Sequence, residues 1–135
     1  MTVTIKRNTG WLGKGSRISL KLNGEKVLKI ADSQKIELTI QNDRAHLQVT
    51  QFGSKSNGIE ITNGDTVEIT SAKMSYIIYY SILTFVLVMN LSASLTSLTF
   101  TVYMTFLIFG LIILIGSFFL VNIYNLKILD NKSRN

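Results

Sequence analysis

The chain has 135 residues, with 14 Lys and Arg against 8 Asp and Glu, a formal net charge of +6, and neither cysteine nor proline. This length allows one small domain and one further segment. Without cysteine, disulfides, thiolate metal sites and Cys–His catalysis are excluded. The charges are unevenly divided, because residues 74–126 contain no Lys, Arg, Asp, Glu or His.

The first unusual segment is TGWLGKGSR, residues 9–17, which holds three glycines and the only tryptophan. It does not match a P-loop, because Gly15 is followed by Ser16 and no helical pattern comes after it. We interpret it as a loop that joins two strands. It either contacts a protein partner, contacts an anionic lipid surface, or only covers one end of its own domain. The candidate contact residues are Trp11, Leu12, Lys14 and Arg17.

Residues 1–72 are predicted to form a cytoplasmic β-domain. Short runs alternate apolar and polar residues with a period of two, and turn sequences such as Asn23–Gly24 separate them. The pattern predicts a small all-β sandwich or open barrel of about seven strands. The residues expected to point inward are Val3, Ile5, Ile18, Leu20, Leu22, Val27, Ile30, Ile36, Leu38, Ile40, Leu47, Val49, Ile59, Ile61, Val67 and Ile69.

ISLKLNGEKVLKI followed by IELTIQNDRAHLQVTQF resembles the PEGA-type β-domain pattern. In that pattern a strand–Asn-Gly–strand hairpin precedes an apolar strand, a tight turn and a strand with a histidine, the position that His46 takes. The match covers residues 16–52 and departs from the pattern at residues 41–44, which lack the usual Pro-Gly. The resemblance implies a surface-layer or partner-binding module that is not an enzyme. The layout of the whole chain resembles small membrane proteins of Gram-positive bacteria.

Residues 73–126 are predicted to form a transmembrane helical hairpin. Its helices are expected at about residues 74–91 and 98–124, because each apolar run is long enough to cross a hydrocarbon core of about 30 Å. The uncharged SASLTS, residues 92–97, forms the connection. The fold class is therefore α+β by segregation, with the β-domain first and the hairpin second.

The flanking cations predict the orientation of the hairpin. Lys73 precedes the first helix, Lys127 follows the second, and the connection carries no cation. The positive-inside rule then places both termini in the cytoplasm, with residues 127–135 as a short polar tail. The N-terminus shows no signal-peptide pattern, which agrees with a multi-pass protein of the plasma membrane.

Small and hydroxyl-bearing residues form one stripe on each predicted helix. Tyr103, Gly110 and Ser117 recur every seven residues on the second helix, and Tyr80 and Thr84 are four apart on the first. Such residues let helices approach closely and form hydrogen bonds. The two stripes either pack on each other within the hairpin or form a seam to a partner or a second copy.

No catalytic, metal or cofactor site is predicted. His46 alternates with Leu47 and Val49, so it is expected on the face opposite the core. A proton relay, voltage sensor or ion-coupled transporter would need ionisable groups in the membrane segment, which has none except tyrosine. Nucleic-acid binding is not expected, because the cations are interleaved with acids and no aromatic platform is present.

These observations favour a non-enzymatic integral membrane protein that presents its β-domain as an interaction or accessory module of a membrane complex. The expected contacts are membrane lipids and either a protein partner or further copies of the chain, with no small-molecule substrate. The alternative is a small membrane-active protein, such as an immunity, toxin or envelope-stress component.

Overall fold

The computed structural model describes residues 1–131, which form nine strands and two long helices. The strands are β1 (Thr2–Asn8), β2 (Ile18–Leu22), β3 (Glu25–Ile30), β4 (Lys35–Thr39), β5 (Arg44–Gln51), β6 (Ser54–Ser56), β7 (Ile59–Thr62), β8 (Asp65–Ser71) and β9 (Asn122–Asn131). The helices are α1 (Lys73–Leu95) and α2 (Phe100–Leu120), and a short 3-10 helix, Trp11–Gly13, lies between β1 and β2.

The strands form one sheet that curls into a nearly closed barrel. Its order is β3-β2-β5-β6-β9-β8-β1-β4, and β7 pairs with β5 beside β6. The predicted hairpin at Asn23–Gly24 is confirmed, and both residues have the positive φ that this tight turn requires. The structure confirms a β-domain followed by two long apolar helices.

The barrel core consists of most of the residues that alternation predicted. Val3, Ile5 and Leu47, for example, are completely buried. Val27 is an exception, with 46% of its surface exposed, because the β2–β3 pairing shifts register between Leu20 and Lys21 and changes the alternation. Of the other predicted core residues, three are only partly buried: Leu22, Ile36 and Ile59.

The largest difference from the sequence prediction is β9. The second helix was expected to run to residue 124 and a polar tail to follow, but α2 ends at Leu120 and residues 122–131 form a strand. β9 is antiparallel to β8 along most of its length and parallel to β6. Tyr124 and Leu126 therefore lie in the barrel core rather than at a membrane surface. Residues 132–135 of the predicted tail lie outside the described residues.

The two helices form a hairpin between β8 and β9. Both are long and apolar enough to cross a membrane, and almost none of their surface is buried within the structure. Leu87, Phe109 and Leu120 are 62%, 65% and 85% exposed. Such a continuous apolar surface needs a lipid or protein environment. α1 is longer than predicted and includes residues 92–95, which had been assigned to the connection.

Candidate functional site

The Gly/Trp loop, residues 9–17, is held in place by a buried arginine. The Arg7 side chain is fully buried, and its guanidinium donates to Thr9 Oγ1 at 3.0 Å and to the carbonyl oxygens of Gly13, Ser16 and Ile30 at 2.5, 2.7 and 2.8 Å. Arginine supplies five donors in a planar fork, which suits several carbonyls at once. Burial lowers the pKa of Arg7, and nearby Tyr124 and Asp32 oppose that shift.

Arg7 was not singled out from the sequence, although a signal was present. Val3, Ile5 and Arg7 share the inward parity of β1, so Arg7 continues a core-facing row. A cation in such a row requires internal partners, because a buried charge is costly without hydrogen bonds. Two of those partners, the carbonyl oxygens of Gly13 and Ser16, belong to a loop that has no regular strand pairing of its own, and a third is the carbonyl oxygen of Ile30 at the end of β3.

Asp32 secures the start of the same loop. Its Oδ1 accepts from Thr9 N at 3.2 Å and from Thr9 Oγ1 at 2.9 Å, and Ser33 donates to Oδ2 at 3.2 Å. Burial by itself would raise the pKa of Asp32, but the hydrogen bonds from Thr9 and Ser33 outweigh it, and the charge of Arg7 adds to them. The pKa of this carboxyl therefore lies below its ordinary value.

Trp11 contacts the first turns of α1. Its ring centroid lies 6.4 Å from that of Tyr76 and 5.2 Å from that of Tyr79, the latter at 83°. Gly10 has φ +66°, which glycine adopts readily, and a Cβ there would lie 3.3 Å from the Tyr76 hydroxyl. Trp11 nevertheless remains 54% exposed. The loop thus brings the tryptophan to the depth at which the apolar helix begins.

The other candidates in this loop have different environments. Leu12 is half-buried and borders a small cavity of about 210 Å³, together with Phe118 and Tyr124. Lys14 and Arg17 are exposed. The structure therefore divides the four candidates into one inward residue, Leu12, and three that reach the surface.

Phe52 is a second exposed aromatic at this end and was not predicted as a contact residue. It occupies the β5–β6 turn with φ +47° and is 88% exposed. A Cβ on neighbouring Gly53 would lie 3.0 Å from Phe119 Cε1, so the turn rests against the end of α2. An available signal was the apolar residue within the polar turn sequence Gln51-Phe52-Gly53-Ser54.

We call the end of the barrel nearest the helices the proximal rim. It comprises the Gly/Trp loop, the turns at 31–34 and 51–53, and the strand ends that join α1 and α2. We include the strand residues that directly adjoin these segments and their partners on the neighbouring strands. Its cations are Lys14, Arg17, Lys29, Lys35, Lys55 and Lys73, and its acids are Asp32 and Glu68, which lies at the level of Lys35 because both pair with Lys6. Glu25, Asp43, Glu60 and Asp65 lie toward the opposite end. The domain is therefore electrically polarised toward the helices.

The second-helix stripe faces α1. Tyr103 donates from its hydroxyl to Asn90 Oδ1 at 3.3 Å, and a Cβ on Gly110 would lie 2.1 Å from Phe85 Cζ. Ser117 is half-buried and donates to the Leu114 carbonyl of its own helix at 2.5 Å. Close approach at Gly110 lets the Phe85 ring lie against the α2 backbone.

The first-helix stripe lies elsewhere. Tyr80 and Thr84 are exposed, and together with Tyr76, Ser81 and Phe85 they line an open groove of about 660 Å³ on α1. Within residues 1–131, the hydroxyls of Tyr80, Ser81 and Thr84 form no hydrogen bond. Other helix hydroxyls do: Ser94 and Thr105, for example, donate to carbonyls four residues earlier.

His46 lies on the outer face of β5, as its alternation predicted. Its ring lies against Gly58, where a Cβ would come 2.2 Å from Nε2, and its main-chain N–H donates to Asn23 Oδ1 at 2.8 Å. Among the side chains described for residues 1–129, no group of three or more His, Asp or Glu could hold a metal ion.

No protein-family model, no curated protein and no solved structure matches the chain. The resemblance to PEGA-type domains therefore stays an expectation from sequence. The structure itself defines the class: a small β-barrel domain with an apolar helical hairpin between two adjacent strands.

Proposed function

We propose that the protein is a non-enzymatic integral membrane protein of the plasma membrane that serves as an accessory subunit of a membrane complex. The α1 groove receives a transmembrane helix of the partner protein, and the β-domain lies on the cytoplasmic side with both termini. The observation that carries the proposal is the groove on α1, whose exposed hydroxyls have no hydrogen-bond partner among the described residues.

The β8–β9 pairing supports the membrane arrangement. Ala72 N donates to Ile123 O at 2.9 Å, so the two chain segments that enter and leave the hairpin are bonded to each other. A hairpin held in this way returns the chain to the side from which it left. The cations of the proximal rim favour the cytoplasmic side, because positive charge is retained there and anionic lipids attract it.

The chemistry of the groove favours a helix as its occupant. In lipid, an unpaired hydroxyl gains from a partner on a neighbouring helix, and small or hydroxyl residues mark such contacts. Tyr80, Ser81 and Thr84 present three hydroxyls on one side of α1. Lipid chains offer no acceptor for them, whereas a helix offers carbonyl and side-chain oxygens. The PEGA resemblance, which implies a partner-binding module, points in the same direction.

Site-specific photo-crosslinking in living cells tests the proposal. A crosslinking amino acid at Thr84 reports the groove, and the same residue at Thr105, which is also exposed but lies on α2, is the matched control. We expect a discrete adduct from position 84, with the crosslinked peptide in an apolar helix of the partner, and little from position 105. Equal labelling at both positions, or only lipid adducts at 84, would overturn the proposal. A self-adduct from position 84 would replace the partner helix with a second copy.

A further inference from the structure

A second groove extends from the proximal rim along the outer face of β3, β2 and β5. Its volume is about 590 Å³, within the range of small-ligand sites. Ser19 pairs with Lys29 on one side and with Thr50 on the other, so the groove crosses three adjacent strands. The edge of the groove nearest the helices is formed by Phe52 and Gly53, which adjoin the end of α2.

The lining of this groove is basic and rich in hydroxyls. Arg17, Lys26 and Lys29 supply three exposed cations, and no acidic residue lines the groove. The hydroxyls come from Ser16, Ser19 and Thr50. Among the side chains of residues 1–129, the ion pair within 4.0 Å is Arg44–Glu60, so none of these carboxylates pairs with a groove cation. This donor set suits an anion with several oxygens, such as a phosphate ester.

The position of the groove beside the end of α2 favours a lipid as the molecule that carries the phosphate. Phe52, 88% exposed, lies at the groove edge and borders a second, apolar cavity with Ile115, Phe118 and Phe119. Aromatic side chains at the ends of spanning helices sit at the level of lipid headgroups. A ligand here would thus have its phosphate against the cations and its apolar part beside α2. Trp11, whose ring contacts Tyr76 and Tyr79, lies beside the start of α1 as Phe52 lies beside the end of α2.

We infer that the Arg17–Lys26–Lys29 groove binds the phosphate-bearing headgroup of an anionic phospholipid in the leaflet that faces the β-domain. The inference depends on the membrane placement of the hairpin but not on the partner helix. Failure of crosslinking at Thr84 would leave it intact.

The first experiment is native mass spectrometry of the full chain released from micelles that contain phosphatidylglycerol or phosphatidylcholine. The groove variant R17Q/K26Q/K29Q is compared with K6Q/K35Q/K127Q, which removes the same charge outside the groove lining. We expect phosphatidylglycerol adducts that fall at least about tenfold in the groove variant and persist in the control. Circular dichroism establishes that both variants are folded.

Three outcomes would overturn the inference. An equal loss in both variants would mean diffuse attraction to the whole domain. An equal preference for the two lipids would mean no headgroup site. Displacement of the lipid by inorganic phosphate at similar concentration would mean a free-phosphate site.

A second measurement uses only the unmodified chain, so it does not depend on the folding of a variant. Trp11 is the only tryptophan, and its fluorescence reports the lipids beside the rim. In mixed bilayers, brominated phosphatidylglycerol should quench Trp11 more strongly than brominated phosphatidylcholine at the same mole fraction. Equal quenching by the two lipids, or none, would contradict a lipid site on this rim.

Discussion

The side-chain amide of Asn57 binds both main-chain polar groups of Leu126, 69 residues later in the chain. Its Oδ1 accepts from Leu126 N at 2.8 Å, and its Nδ2 donates to Leu126 O at 3.2 Å. Asn57 directly follows β6, and β6 pairs only with the first residues of β9. This one side chain therefore extends the β6–β9 contact and holds the strand that returns from the helices.

Asn57→Ala removes both of these hydrogen bonds and should lower the free energy of unfolding by about 1–3 kcal/mol, because Leu126 N and O lose their partners. Thermal unfolding of the full chain in detergent measures the effect. Asn42→Ala, in the exposed turn before β5, serves as the control and should change the midpoint little. If the two variants have equal midpoints, the Asn57 amide does not hold β9.

Gly110 and Gly116 on α2 offer a matched pair of substitutions. A Cβ at Gly110 would overlap Phe85, whereas a Cβ at Gly116 meets nothing within 4 Å. Gly110→Ala should therefore destabilise the hairpin by about 1–3 kcal/mol, despite the better helix propensity of alanine. Gly116→Ala should be neutral or slightly stabilising.

The distance between the two helices can be measured by crosslinking. The chain has no cysteine, so a pair of cysteines introduced at positions 90 and 103 can be joined by a short bifunctional thiol reagent only when the helices are close. Unchanged crosslinking in Gly110→Ala would contradict this packing.

Arg7→Met should loosen the Gly/Trp loop, because the carbonyls of Gly13, Ser16 and Ile30 lose their donor. The expected loss of stability is about 3 kcal/mol or more. Trypsin cleavage after Lys14 should become faster, which measures the opening of the loop. Arg44→Met is the control, since its pair with Glu60 is exposed and contributes at most about 1 kcal/mol. Equal cleavage rates in wild type and Arg7→Met would be inconsistent with this role.

Asp32 should make the stability of the loop dependent on pH. Because its folded pKa lies below the ordinary value of 3.8, the carboxylate contributes stability that is complete above that value. This contribution is lost as the pH falls through the folded pKa. Asp32→Asn should therefore have a lower unfolding midpoint than wild type at neutral pH, and the difference should shrink in acid below pH 3.8. Asp43→Asn is the control, and a difference that stayed constant with pH would argue against this role of Asp32.

Local patterns in the sequence determined most strands of the β-domain, though not the short β6, together with the Asn23–Gly24 turn and the two apolar helices. Alternation with a period of two identifies a face, and a long charge-free run identifies a membrane span, because each depends only on neighbours along the chain. The prediction that Val27 lies in the core was wrong because of a register shift, which depends on the partner strand. The contact candidates of the Gly/Trp loop were identified by residue type alone, but their division into inward Leu12 and exposed Trp11 was not.

Only the tertiary structure decided the role of residues 122–131. Their alternation of Tyr124, Leu126 and Ile128 is that of a strand, but it follows an apolar helix without interruption, so hydropathy alone extends the helix through it. The chain leaves the helix at Val121 because β8 and β6 offer unpaired backbone groups to residues beyond it. In the same way, Arg7 finds its carbonyl partners, and Phe52 and Trp11 reach the helix ends, only when distant segments meet. Local periodicity is a property of the chain, whereas partners for buried polar groups and strand edges exist only in the folded sheet.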